Sequence, residues 1–240
     1  MNSSNKSWLV IQVASLMVSW GKPGRKEYRP SFDGPGKGAM VGLLLNSMGG
    51  SRDNELFIRV LRSLEMTVFT IMYGSLLTDF HTIGCGYKDD KPLTADGIEE
   101  LMKGNKPKGK EIITHRDYLS DAEYVVVLEG NSELIDVCEN WLNRPERILF
   151  LGRKANIPSK PVLLGVCHSD SEVMGMVRKA IKEVRRNDDL SGVWCVQDVC
   201  PAKANDFLRD SPIRFGMGTG GYEDRAVLGK IVDEETIRGR

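Results

Sequence analysis

What this chain lacks narrows its reading first. It has no apolar run near the roughly 20 residues that span a bilayer; its longest apolar stretches, Leu9–Val18 and Met40–Leu45, are short and interrupted. No membrane partner is expected. It has no basic surplus, because 33 Lys and Arg balance 33 Asp and Glu. Composition alone therefore withholds the usual footprint of nucleic-acid binding. The N-terminus lacks a basic segment followed by an apolar run and a small-residue cleavage site, so a cytoplasmic location is expected. Cysteine is scarce: Cys85, Cys138, Cys167, Cys195 and Cys200 are odd in number and without pairing rhythm, which suits reduced, half-buried thiols. Cys195 and Cys200 have four residues between them and His168 is the nearest upstream histidine, a poor match to structural zinc spacing. With only three histidines, no H-E-x-x-H, no nucleophile elbow and no tight carboxylate pair, the reading is no metal, no cofactor and no catalytic residue.

What the chain does have is charge segregation. Lys22, Arg25, Lys26, Arg29 and Lys37 stand against only Glu27 and Asp33. Lys103, Lys106, Lys108, Lys110 and Arg116 stand against Glu111, and Arg144, Arg147, Arg153, Lys154 and Lys160 against Glu146. The segment Asp121–Glu139 is acidic. A neutral protein sorted in this way keeps a basic face for phosphate and an acidic face for another partner. Any one cluster is also consistent with a solvated surface.

Apolar patterning places the elements. Trp8–Val18 reads as a strand interrupted by Gln12. A loop rich in Gly, Pro and basic residues, Ser19–Gly36, leads to a helix over Lys37–Met48 that Gly49 and Gly50 end. Asp53 or Asn54 caps a helix through Ser63, and Met66–Tyr73 alternates as a strand. Ser75–Ser120 is the least regular stretch and reads as an insertion. Ala122–Leu128 is a strand, Asn131 or Ser132 caps the next helix, and Arg147–Leu151 and Val162–Val166 are short strands. Asp170–Arg186 is a helix and Val193–Gln197 a strand. Through residue 166 the order is β-α-β-β-α-β, which is the ferredoxin-like order shared with RRM domains. The fold class is therefore α+β: a ferredoxin-like, RRM-like core over 1–166, with a thumb-like insertion at 75–120 and a smaller C-terminal extension over 167–240.

Two glycine motifs carry competing readings. Gly216, Gly218 and Gly221 spell G-x-G-x-x-G, but too little chain follows for a dinucleotide-binding unit, so this is a loop. Gly34, Gly36 and Gly38 flank Lys37 at a helix start. Backbone amides there bind anions, and the alternative is a plain turn into a packed helix. His81 and His115 are the histidines best placed for acid–base work on a ribose hydroxyl.

The motifs then fall into a familiar order. Trp20-Gly21 looks like the S-W-G that follows the first strand in CasD proteins. Arg29-Pro30, Lys37 and Gly42-Leu43-Leu44 resemble that family's R-P…P-T-[KR]-S-G-x-x-G-L-L segment, with Gly36, Gly38 and Ala39 replacing the usual residues. Arg52-Asp53 and Asp79-Phe80-His81-Thr82 match the short R-D and D-[YF]-H-T. The run Arg116 to Ala122 is similar to R-E-Y-L-x-D-A, and Phe150-Leu151-Gly152-Arg153-Lys154 to Y-L-G-R-[RK]. Asn156 stands where Cys is common. Val13-Ala14-Ser15-Leu16 departs from the usual L-x-G-P. The matches keep order from Val13 to about Gly165; each alone is weak and the succession is specific.

The resemblance is to the crRNA 5′-tag-binding subunits of type I-E CRISPR Cascade complexes. It implies a non-catalytic subunit that grips the repeat-derived tag of the crRNA and caps the backbone filament. Its implied partners are the crRNA, the backbone subunit CasC, the large subunit CasA and other Cascade subunits, with target DNA reached indirectly through guide pairing. In this subtype another subunit, CasE, cuts the repeat; in a related subtype the CasD-like protein does so. The residues independently suit a single-stranded tag, held through phosphates and stacked bases. The candidate RNA-binding set is Trp20, Lys22, Arg25, Lys26, Tyr28, Arg29, Lys37, His81, Lys108, Lys110, Arg116, Arg153 and Lys154. Two alternatives stay open. One is a metal-independent endoribonuclease, with His115 as base and Lys110 or Arg116 steadying the phosphate. The other is an unrelated ferredoxin-like binding protein.

Overall fold

A computed structural model describes residues 6–22, 27–83, 87–88, 91–92, 112–185, 192–215 and 221–232. Strand β1 (Lys6–Ala14) is apolar on both faces, because both are covered. Leu9, Ile11 and Val13 join one core cluster and Val10 joins a second. Gln12, the polar interruption, is buried and hydrogen-bonded to Glu123, which Lys160 neutralises at 2.7 Å. The strand ends earlier than its apolar run predicts. Leu16 turns out to solvent, and Ser15 donates its hydroxyl to the Ile157 carbonyl at 2.8 Å. The two-residue β2 (Met17–Val18) then joins a different sheet.

Strands β3 (Trp20–Gly21), β4 (Tyr28–Arg29) and β5 (Ser31–Phe32) form a strap before helix α1 (Lys37–Ser47). Gly49, at φ +71°, closes α1 with its amide bonded back to Asn46 at 3.1 Å, the left-handed ending that favours glycine. Helix α2 (Glu55–Arg62) is capped by the Asn54 side chain, which accepts from the Phe57 amide at 3.2 Å. Next come β6 (Glu65–Met72), β7 (Ser75–Ile83), the small pair β8 (Tyr87–Lys88) and β9 (Lys91–Pro92), β10 (Ile112–Ser120) and β11 (Glu123–Asn131). Asn131 caps α3 (Ser132–Asn143) through the Glu133 amide. The chain then continues through β12 (Leu163–Cys167), α4 (Asp170–Arg185), β13 (Val193–Asp198), β14 (Asp206–Arg214) and β15 (Gly221–Val232).

The main sheet is antiparallel in every described pairing and runs β12-β1-β11-β6-β13-β15-β14. Helices α1, α2 and α3 bury Met40, Leu44, Ile58, Leu61, Ile135 and Leu142 on one face. Helix α4 lays Val173, Val177, Ala180 and Ile181 against Val10, Phe69, Val125 and Val127 on the other. The protein is thus a mixed α/β fold on antiparallel sheets. Among the described residues no helix is long and apolar enough to cross a membrane.

Two expectations are corrected. The flanks of the irregular stretch are regular: β7 and β10 pair over nine residues, Ser75↔Ser120 to Ile83↔Ile112. Its strands were hidden because β7 turns its apolar residues to solvent, Leu76 and Phe80 among them, so no apolar period marks it. Arg147–Leu151 forms no strand. The free edge of β1 is already taken by β12. Arg147 instead donates to the Gly49 and Gly50 carbonyls at 2.8 and 3.1 Å.

Candidate nucleic-acid interface

Strand β10 organises the candidate site. One edge pairs with β7; the other takes β2 at Leu119 and Ser120 and, in parallel, β4 at His115↔Tyr28 and Arg116↔Arg29. The basic strap and the arm are thereby one surface. Strand alternation sorts its side chains. Thr114, Arg116 and Tyr118 share a face with His81, Asp79 and Leu77; His115 and Asp117 share the opposite face with Phe80 and Thr78.

Asp117 locks the strap to the arm. It is 3% exposed and accepts hydrogen bonds from the Tyr28 phenol at 2.5 Å and the Thr78 hydroxyl at 2.7 Å. The hydrogen bond to Asp117, and then burial, raise the Tyr28 phenol above its ordinary value. With the hydroxyl engaged, the Tyr28 ring stays 45% exposed and offers a stacking surface.

A second lock brings the distant loop after Phe150 to the same place. Gly152 has φ +81°, and a Cβ there would lie 1.7 Å from the Ser19 carbonyl oxygen. Only glycine permits this contact with the start of the strap. The next residue, Arg153, lies with its guanidinium 4.2 Å from the Tyr118 ring centre and donates to the Arg29 carbonyl at 3.5 Å. Such stacking leaves guanidinium edges for anions. Lys154 is exposed beside it. Tyr28, Arg29, Arg116, Arg153 and Lys154 are therefore gathered around β10. Lys22 continues the positive edge, its ammonium 5.6 Å from the Phe32 ring centre. His81 is half exposed, 3.8 Å from Asp79. Arg25, Lys26, Lys108 and Lys110 lie outside the described residues.

Two members of the expected set sit elsewhere. Trp20 is 1% exposed and packs edge-on against Tyr124 at 6.0 Å, so its ring is core and not a stacking platform. Lys37 has a side chain only 4% exposed, with its ammonium 2.7 Å from Asp198 and bonded to the Leu64 carbonyl. Burial lowers its pKa, against the pull of Asp198. The anion at this helix N-terminus is the protein's own Asp210, which accepts from the Lys37 amide at 3.0 Å. Arg225 holds Asp210 through two bonds at 2.8 and 2.6 Å and also pairs with Asp198. Burial lowers the Arg225 pKa, but its bonds to Asp210 and Asp198 outweigh it and leave it raised. The expected anion site is filled from within.

Sequence reasoning missed Tyr118 as the platform beneath Arg153. Its place in the Arg116–Ala122 run was visible, but the loop that lands on it is 35 residues away and is brought there by Gly152. Among the described residues no group of three His, Cys, Asp or Glu could hold a metal ion.

The architecture is that of a mixed α/β protein with a hairpin arm and a basic strap. A family model described as CRISPR-associated protein (Cas_Cas5) matches residues 8–221, and the chain belongs to that family. It is similar to the CRISPR system Cascade subunit CasD of Escherichia coli (strain K12), with 28% identity over 168 residues, covering 68% of this chain and 73% of that protein. Its fold matches a chain of a CRISPR RNA-guided surveillance complex at TM-score 0.68 and 24% identity, covering 93% of this chain and 89% of that one. It also matches the crystal structure of a Cas protein at TM-score 0.62 and 22% identity, covering 95% and 96%.

Proposed function

We propose that this chain is a non-catalytic crRNA-binding subunit of a Cascade-type interference complex. It grips the repeat-derived 5′ tag and caps the backbone filament, working with the backbone subunit CasC, the large subunit CasA and the other Cascade subunits, in the cytoplasm. The observation that carries this reading is the convergence of two sequence-distant basic segments, at Arg29 and at Arg153, on Tyr118 of β10. A ferredoxin-like, RRM-like core over 1–166 underlies it. The strand order β12-β1-β11-β6 supports this, being fourth-first-third-second for a β-α-β-β-α-β chain. Residues 167–240 then act as an extension, with β13, β15 and β14 adding strands to the sheet and α4 covering the face opposite α1. Because that face is covered, the RNA contacts fall to the strap, the arm and the Arg153 loop.

The nuclease alternative gains no support from the arrangement of the arm. His115 and Arg116 are neighbours on one strand and face opposite ways, as do His81 and His115. An acid–base pair would need both groups on one scissile phosphate. The test is binding of a tag-bearing RNA at several salt concentrations. Arg29→Ala and Arg153→Ala should each lower the salt slope by about 0.7, the single-strand value per phosphate contact. Lys179→Ala, exposed on α4, should leave it unchanged. Equal effects for all three would place the RNA elsewhere.

A further inference from the structure

Beyond the strap, a cleft of about 820 Å³ runs along α1. We infer that this cleft takes up bases of single-stranded RNA continuing from the Arg153 edge; the inference rests on the RNA-binding reading above. The cleft is within the size range of ligand pockets, and Lys22 and Gly152 line it too, so it opens beside the basic edge. A single strand can cross both.

Gly42 is the first observation. It sits inside α1, and a Cβ there would meet nothing within 4 Å. Glycine weakens a helix interior relative to alanine, and no packing within the described chain uses its bareness. Gly38, one turn earlier, has such a use: its Cβ would lie 3.0 Å from the Asp210 carbonyl oxygen and 3.1 Å from the Tyr222 ring. At Gly42 the helix backbone is simply left open to the cleft, which lets a flat ligand approach closely.

The lining chemistry identifies the ligand class. Phe32, Phe215 and Tyr222 border the cleft, the last two edge-to-face at 6.4 Å. Arg52 and Arg147 add positive charge, and Arg147 is held by the carbonyls of the α1 ending. The acidic lining residue Asp210 is already neutralised by Arg225. Flat rings with positive charge and no uncompensated carboxylate among the lining groups suit stacked bases and their phosphates. An apolar peptide would make no use of the arginines.

The test uses the full chain and a short fluorescein-labelled single-stranded RNA of mixed sequence, read by anisotropy. Gly42→Ala should raise the melting temperature. Gly42→Leu should project a side chain from α1 into the base path and weaken binding about tenfold or more, the worth of a stacked base. Phe215→Leu should weaken binding at an unchanged salt slope, whereas Arg52→Ala should lower the slope. Those two variants stand in if Gly42→Leu does not fold. If Arg153→Ala weakens binding while Gly42→Leu, Phe215→Leu and Arg52→Ala bind like the parent, the cleft is off the RNA path and the inference falls alone. If the parent chain binds no RNA, both readings fall.

Discussion

Single residues here change meaning with their depth. Lys37 sits in a glycine-rich helix start that looks like an anion site, yet the fold turns it inward to Asp198. Asp198 keeps Arg225 when the ammonium is removed, so Lys37→Ala loses a charged hydrogen bond and its packing and should cost about 1–3 kcal/mol of unfolding free energy by urea titration. The salt slope of RNA binding should not change. A lost slope with unaltered stability would return Lys37 to the RNA. The buried thiols give a pH test. Burial pushes Cys138 up to about 12 and Cys195 up to about 11, from an ordinary value of 9.0. A raised acid in the fold means the unfolded chain releases its proton first. The stabilising contribution is whole below pH 9.0 and is lost as pH climbs toward the folded values. Urea midpoints should therefore fall above pH 9.0, and Cys195→Ala should flatten that fall. Alkylation near neutral pH should reach exposed Cys200 well before buried Cys138 or Cys195.

At the scale of elements, the loop 150–156 does the most with the fewest residues. Leu151 anchors it in the core, its amide and carbonyl both meeting Asn156 at 2.8 and 3.1 Å. Gly152 then presses against Ser19, and Arg153 reaches Tyr118. Gly152→Ala adds a methyl group where the Ser19 carbonyl stands. It should weaken RNA binding about as much as Arg153→Ala, with a lower melting temperature. Arg153→Ala should lower the melting temperature by less than Gly152→Ala, since the half-buried stacked arginine contributes only about 1 kcal/mol. Equal binding by Gly152→Ala and the parent would mean that the loop does not position Arg153. The arm formed by β7 and β10 was illegible as strands because β7 is exposed along most of its length and β10 buries polar residues, Thr114 and Asp117, beside Tyr118 and Leu119. Helices α2 and α3 were legible because their apolar stripes serve the core and Asn54 and Asn131 cap as their positions suggest; α1 was legible from its apolar run and the glycines that end it.

At the scale of the whole molecule, net neutrality coexists with a basic cluster of Arg29, Arg116 and Arg153 around β10. RNA affinity should fall steeply with salt despite the balanced composition, and flat affinity across salt would contradict a phosphate-gripping role. The purified chain with labelled repeat hairpin in EDTA should yield no discrete cut. A cut abolished by His115→Ala would promote the endoribonuclease alternative.

The sequence by itself determined most of the element order, the helix caps, the family resemblance and the basic segments, because these are local patterns or motifs in series. It could not decide which basic residues face outward. Lys22, Arg29 and Lys37 look alike along the chain, but only the packing of β13 to β15 supplies Asp198 and Asp210 to draw Lys37 inside. Nor could it join Arg29 to Arg153, 124 residues apart. That meeting depends on β10 pairing with β4 and on a glycine that lets one backbone pass against another. Burial and long-range pairing are properties of the assembled chain, and they select the surface from the candidates.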